Sequence, residues 1–151
     1  MTARMSQRGS SLPETAIVMG VLLALMFGII DFGRATYTYA FVAQLARQGA
    51  RWAIVRGSQC SALDHCNASQ TDVQNYVRSL SQGATVKNNI TVPPLGYSGC
   101  PPGSTASNAP GCTISVTVTY PFQFMLPYMP KTAGQYTILT MSSTSQMVIS
   151  Q

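Results

Sequence analysis

Charge is scarce in this chain. Of its 151 residues only 9% are Asp, Glu, Lys or Arg, against roughly 25% in an ordinary soluble domain. The acids are Glu14, Asp31, Asp64 and Asp72, and His65 is the sole histidine. Hydrolytic chemistry asks for a nucleophile with a base in reach, or for paired carboxylates. Here Glu14 and Asp31 bracket the longest apolar run and His65 stands alone in a cysteine-bounded loop. No Gly-rich phosphate loop follows a strand pattern, and neither G-x-S-x-G nor a zinc-protease motif occurs. An enzyme is not expected, and no cofactor is implied. Nucleic acid is not an expected partner either. The net charge is +5, but Arg4 and Arg8 precede the apolar run, Arg34, Arg47, Arg51 and Arg56 follow it closely, and only Arg78, Lys87 and Lys131 remain for the distal part. A nucleic-acid face needs cations clustered near aromatics.

What the chain does have is one apolar run, residues 16–30, with no strongly polar side chain, closed by Asp31. Ser11-Leu12-Pro13-Glu14 before it fits an S-x-x-E capping box, with Pro13 tolerated in a first turn. A helix is expected to start here. Fifteen residues are short for a spanning helix, which takes about 20. Asp31 and Arg34 stand three apart, so they can pair on one face and soften the end of the run. Tyr37 and Tyr39 then suit a membrane interface. Proline is absent from residue 14 to residue 56. Beyond the run, Ala35, Tyr39, Val42, Ala46, Gly49, Ala50 and Ala53 make a stripe of mostly small residues at helical spacing. Phe41, Leu45, Gln48, Trp52 and Val55 make a second stripe, with Gln44, Arg47 and Arg51 on the polar side. One helix of about forty residues is expected, roughly 60 Å long, stopped at Gly57.

The remainder reads as a small α+β head. Residues 71–80 place Val73, Tyr76, Val77 and Leu80 at helical spacing, with Thr71 or Asp72 as cap and Gly83 as stop. Residues 86–92 read as a strand ended by Pro93 and Pro94. Residues 113–120 alternate strictly, with Ile114, Val116, Val118 and Tyr120 on one face. Residues 121–134 read as an apolar loop over a core or a membrane surface, and 136–149 as a last strand with Ser and Thr outside. Cys60, Cys66, Cys100 and Cys112 all lie beyond the apolar run. An even count in Gly- and Pro-rich loops reads as two disulfides in an oxidising compartment. A metal site is the alternative, but no C-x-x-C pair is present and the chain has one histidine. Three connectivities are open; Cys60–Cys66 with Cys100–Cys112 is preferred because each pair brackets one loop. The cysteines put the head outside and the basic tail inside, where the charges at both ends of the run leave topology open.

Three fates of the anchor compete. A cleaved signal peptide accounts for Arg4, Arg8 and the apolar core, but Glu14 sits at its entrance and Asp31-Phe32-Gly33-Arg34 offers no small-x-small cleavage site. A plain signal anchor would hold an exported binding domain that never polymerises. In the third, Gly9 followed by Ser10, with Glu14 the fifth residue after the glycine, is similar to the processing site of type IV prepilins. The stretch R-G-S-S-L-P-E-T-A-I-V-M-G-V-L-L-A-L-M-F-G-I-I-D-F-G-R-A, followed by A-R-Q-G-A-R-W-A, resembles the TadE-like family of pseudopilins from tight-adherence (Flp) pilus systems. The resemblance covers about residues 8–54; Pro13 and Thr15 stand where that family often has aliphatic or aromatic residues.

The resemblance implies a pilin-like α+β protein with a leader at 1–9, a transmembrane and assembly helix at 10–57 and an exported, disulfide-bonded head at 58–151. It implies cutting between Gly9 and Ser10 by a prepilin peptidase at the cytoplasmic side of the bacterial inner membrane. It also implies partners among pilin or pseudopilin subunits, the pilus assembly platform and the lipid bilayer. Glu14, Asp31 and Arg34 are then the candidate assembly residues. By that resemblance Glu14 meets the new ammonium of a neighbouring subunit's Ser10; from the residues alone it caps its own helix.

Overall fold

The computed structural model describes residues 11–81, 88–104, 107–125 and 138–150. The expected leader, Gly9, Ser10, Gly83, Val86, Lys87, the loop beyond Met125 and Tyr136 lie outside the described residues. A single helix, α1 (Ser11–Ile54, 44 residues), dominates the molecule. At 1.5 Å per residue it is about 66 Å long. Its two halves have opposite surroundings. From Leu12 to Ile30 the apolar side chains are bare, whereas Val42, Leu45, Ala46, Ala50 and Ala53 are buried.

The head lies along the second half. Helix α2 (Gln70–Leu80) buries Val73 and Val77. Strands β1 (Gly96–Ser98), β2 (Thr113–Gln123) and β3 (Ile138–Val148) form an antiparallel sheet in that order. Ile114 pairs with Met147, Val116 with Ser145 and Val118 with Ser143. The strict alternation of β2 puts Ile114, Val116, Val118 and Phe122 into the core, leaving the Thr and Ser positions between them less covered. The expected architecture, a long helix with a short second helix and a three-stranded antiparallel sheet, is the observed one.

Five details differ from expectation. Helix α1 ends at Ile54 rather than at Gly57. The Ile54 carbonyl is taken from outside the helix, accepting from the Ser150 amide at 3.1 Å and the Ser150 hydroxyl at 3.2 Å. The last turn closes instead by the Arg56 amide donating to Ala53 at 3.0 Å. The cap of α2 is Ser69, not Thr71 or Asp72. Its hydroxyl accepts from the Asp72 amide at 3.3 Å while the Asp72 carboxylate accepts from the Ser69 amide at 2.9 Å. This is the reciprocal capping box, two residues before the nearer of the expected caps.

Within residues 86–92 the described part is not a strand. Asn88 and Asn89 are helical, and only Thr91 joins the sheet, by a bridge to Thr119. Ile90 and Val92 satisfy their alternation by burial alone, and the Val92 carbonyl is taken by Gln74 Nε2 at 2.8 Å. The third strand is β1, whose three residues carry no periodicity. Finally, β2 continues through Pro121 to Gln123 instead of ending at Tyr120. The Thr119 amide donates to Thr91, away from β3, at 2.8 Å. Pro121, two residues on, would aim its missing N–H to that same side, where it costs no ladder bond with β3.

The small-residue stripe is used by the chain's own head: Ala46, Gly49, Ala50 and Ala53 are buried within the chain. A Cβ on Gly49 would lie 2.8 Å from Val77 Cγ2 and 3.3 Å from Val116 Cγ1. Small side chains here let α2 and the sheet close onto α1.

Candidate functional site

The expected site residues spread along the whole helix rather than converging. Glu14 lies in the first turn of α1 and is exposed. Beside it the Thr15 hydroxyl donates to the Leu12 carbonyl at 3.0 Å. Above it runs a bare apolar cylinder: Ile17 is 69% exposed, Leu25 62% and Ile29 72%. Buried surface is worth roughly 25 cal/mol per Å², so side chains of this kind are not left in water without another medium to receive them. This helix has the length and apolarity of a single-pass membrane anchor.

At the upper end of the run Asp31 is only 3% exposed. Arg34 Nη1 donates to its Oδ1 at 3.1 Å, the pair the sequence spacing allows. Nothing in the residue spacing marks the second donor. The backbone amide of Met125, just past β2, reaches Asp31 Oδ2 at 3.0 Å and Oδ1 at 3.3 Å. Arg34 lies over the Phe122 ring, 5.5 Å from its centroid, and Phe122 meets Phe124 edge-on at 5.2 Å. An acid at the end of an apolar run that also faces a folded head is the signal that could have prompted a search for a backbone donor. Which donor it finds depends on how far β2 runs. Helix and sheet are therefore tied at both ends, by Met125 to Asp31 below and by Ser150 to Ile54 above.

The sulfurs are joined Cys60 to Cys66 and Cys100 to Cys112. Cys112 is fully buried, and around it the Ile149 amide donates to the Cys112 carbonyl at 2.8 Å and the Gly111 amide to the Ile149 carbonyl at 2.9 Å. Gly111, at φ +87° and with Pro101 Cγ 2.8 Å from where a Cβ would sit, is the turn that makes this junction possible. The other loop folds back on the helix end: Arg56 Nε donates to the Asp64 carbonyl at 2.9 Å and its guanidinium covers Trp52 at 4.2 Å. Tyr76 stacks on Trp52 at 4.9 Å. His65 Nδ1 lies 3.5 Å from Asp72 Oδ1. Asp72 is held below the usual carboxylate range chiefly by the Ser69 hydroxyl and amide, with His65 a smaller influence. Among the described residues no three of His, Cys, Asp and Glu converge as metal ligands would.

A bare apolar half-helix, a boundary acid satisfied from the head, and an α+β head clasped by disulfides define the class: a membrane-anchored protein of pilin-like architecture. A more particular likeness comes from comparison. Residues 9–51 match the family model described as TadE-like protein, and over that stretch the chain is similar to that family. The matched part is nearly all of α1, from the Gly9 position to Arg51, and leaves the head uncovered. No curated protein and no solved structure matches the chain.

Proposed function

We propose that this chain is a minor pilin or pseudopilin of a tight-adherence (Flp-type) pilus system, acting by assembly rather than catalysis in adhesion or secretion. The observation that carries the reading is the TadE-like match over residues 9–51 coinciding with an apolar half-helix that the head leaves bare. A helix that only anchored a domain could use an acid at its entrance as a cap, but would not need it at a set distance from a glycine. Here Glu14 opens the bare half, five residues after Gly9.

In this reading residues 1–9 are a leader removed by a prepilin peptidase between Gly9 and Ser10. Residues 10–57 are the transmembrane and assembly helix, and residues 58–151 the exported head. The N-terminus is cytoplasmic, the helix crosses the bacterial inner membrane, and the disulfides belong to the oxidising side. The partners are the peptidase, the lipid bilayer, the assembly platform and other pilin subunits. A carboxylate carried into hydrocarbon costs about 2.5–3.5 kcal/mol or more unless paired. Glu14 therefore favours the one register in which a neighbour's Ser10 ammonium meets it.

The test is the mass of the mature chain and its presence in sheared pili. A chain starting at Ser10 is expected in a host with the peptidase, and Gly9→Ala should block that cut. Glu14→Ala should leave cutting intact and deplete the chain from pili. A chain keeping residues 1–9 in such a host, or a Glu14→Ala variant that assembles normally, would overturn the processing or the register assignment respectively. A chain cut at Ser10 yet absent from pili would instead be an anchored domain that does not polymerise.

A further inference from the structure

The lower end of the head and the upper end of the bare half-helix meet at one level. Leu12 and Asp31 are nineteen residues apart, about 28 Å along the axis, close to the roughly 30 Å of bilayer hydrocarbon. With Leu12 at one boundary, Asp31 stands at the other. The Met125 amide is held 3.0 Å from Asp31 Oδ2, which pins the end of β2 to that boundary however the rest of the head leans.

Exposed around this point, beside the polar Gln123 and Thr140, are four large apolar side chains. Met125 is 69% exposed, Phe32 75%, Ile30 49% and Leu139 47%. Leu139 is paired with Phe122 across the sheet. Ile30 and Phe32 flank Asp31 at the top of the bare surface, and Met125 is bonded to Asp31 between them. Arg34 is the cation beside them, its side chain 44% exposed. It lies where a long basic side chain can keep its stem in the apolar layer and its head among lipid headgroups.

We propose that the membrane-proximal end of the head, through Met125 and Leu139, is itself seated in the outer interfacial layer of the bilayer. It is then a second membrane contact beside the spanning helix. Asp31 serves as its latch: its carboxylate can lie at the edge of the hydrocarbon because Arg34 and the Met125 amide both bond to it there. The head stands on the membrane with its long axis fixed, not tethered at a single point. The inference rests on α1 being the membrane anchor and extends that reading to the head.

Depth-dependent quenching in proteoliposomes tests it with the full chain. The native Trp52 stands about 31 Å above Asp31 along α1, out of reach of acyl-chain bromines, and serves as the baseline. Tryptophan is added singly as Met125→Trp, Leu139→Trp, Val18→Trp in the bare helix, and Leu63→Trp in the exposed loop between Cys60 and Cys66. In vesicles of lipid brominated on the acyl chain, the emission added at positions 125, 139 and 18 should fall at least twofold relative to unbrominated vesicles. That added at position 63 should not change. Quenching at 18 with none at 125 or 139 overturns the seating of the head and leaves the anchor standing. Unquenched emission at 125 and 139 that shifts to the blue as protein density rises gives the surface to a second copy, and equally overturns it. No quenching at 18 removes the anchor and the inference together.

Discussion

Gly49 marks the closest approach of helix and head, and its role comes from volume rather than flexibility. The nearest atoms to a Cβ placed there are Val77 Cγ2 at 2.8 Å and Val116 Cγ1 at 3.3 Å. Both belong to β-branched side chains that are fully buried and have little rotamer freedom to retreat. Gly49→Ala gains about 1 kcal/mol of helix propensity but meets an overpacking cost of about 1–3 kcal/mol. The expected outcome is a net loss of about 1 kcal/mol by chemical denaturation in detergent, relieved by adding Val77→Ala. Gly20, with nothing within 4 Å in the bare half, should accept alanine without loss in the same assay. A Gly49→Ala variant as stable as the parent would show that α2 moves freely on α1.

Among the elements, α2 carries the clearest electrostatic signature. Ser69 and Asp72 exchange bonds across its first turn, and those bonds hold the Asp72 carboxyl below its ordinary value of 3.8. A depressed acid contributes stability that is fully present above its unfolded pKa, about 3.9, and lost as pH falls through the folded value. Thermal melts between pH 6 and pH 3 should therefore fall at the acid end. Asp72→Asn should flatten the part of that fall that Asp72 carries, and an unchanged profile would remove Asp72 from the account. Ser69→Ala should cost about 1 kcal/mol at neutral pH, the usual worth of a helix cap. The sequence pointed to this helix and to its buried Val73 and Val77, and missed the cap by two residues. Thr71 and Asp72 are equally good cap types, and the choice of Ser69 depends on how the Cys60–Cys66 loop delivers the chain.

At the scale of the whole molecule, the head is a sheet closed onto a helix and tied at both ends. The upper closure gathers Ile54, Ser150, Ile149 and the buried Cys112. The lower one joins Asp31 to Met125. In the chain-entropy view, bridges spanning 12 and 6 residues are worth about 3 and 2 kcal/mol. The longer bridge also holds the junction where β3 ends, whereas the shorter one closes a loop of mostly exposed residues. Cys100→Ser with Cys112→Ser should therefore lower the melting temperature more than Cys60→Ser with Cys66→Ser. The reverse order would place the stabilising closure at the Trp52 end, where Arg56 and Tyr76 both pack on the indole.

Much of this design was legible in one dimension because it depends on short-range periodicity. The unbroken helix follows from the absence of proline, the anchor from residues 16–30, and the main strand from the alternation of Ile114, Val116 and Val118. Each of these is a property of neighbours in the chain. What the tertiary structure decided depends on which groups meet across long separations. The stripe Ala46, Gly49, Ala50 and Ala53 could serve a partner helix or the protein's own head, and only the packing of Val77 and Val116 assigns it inward. The alternation at Ile90 and Val92 could make a strand or plain buried contacts, and the Gln74 side chain takes a carbonyl that a ladder would have used. Asp31 could pair with Arg34 by spacing alone. Its second partner lies 94 residues away, and a backbone amide leaves no mark in a sequence.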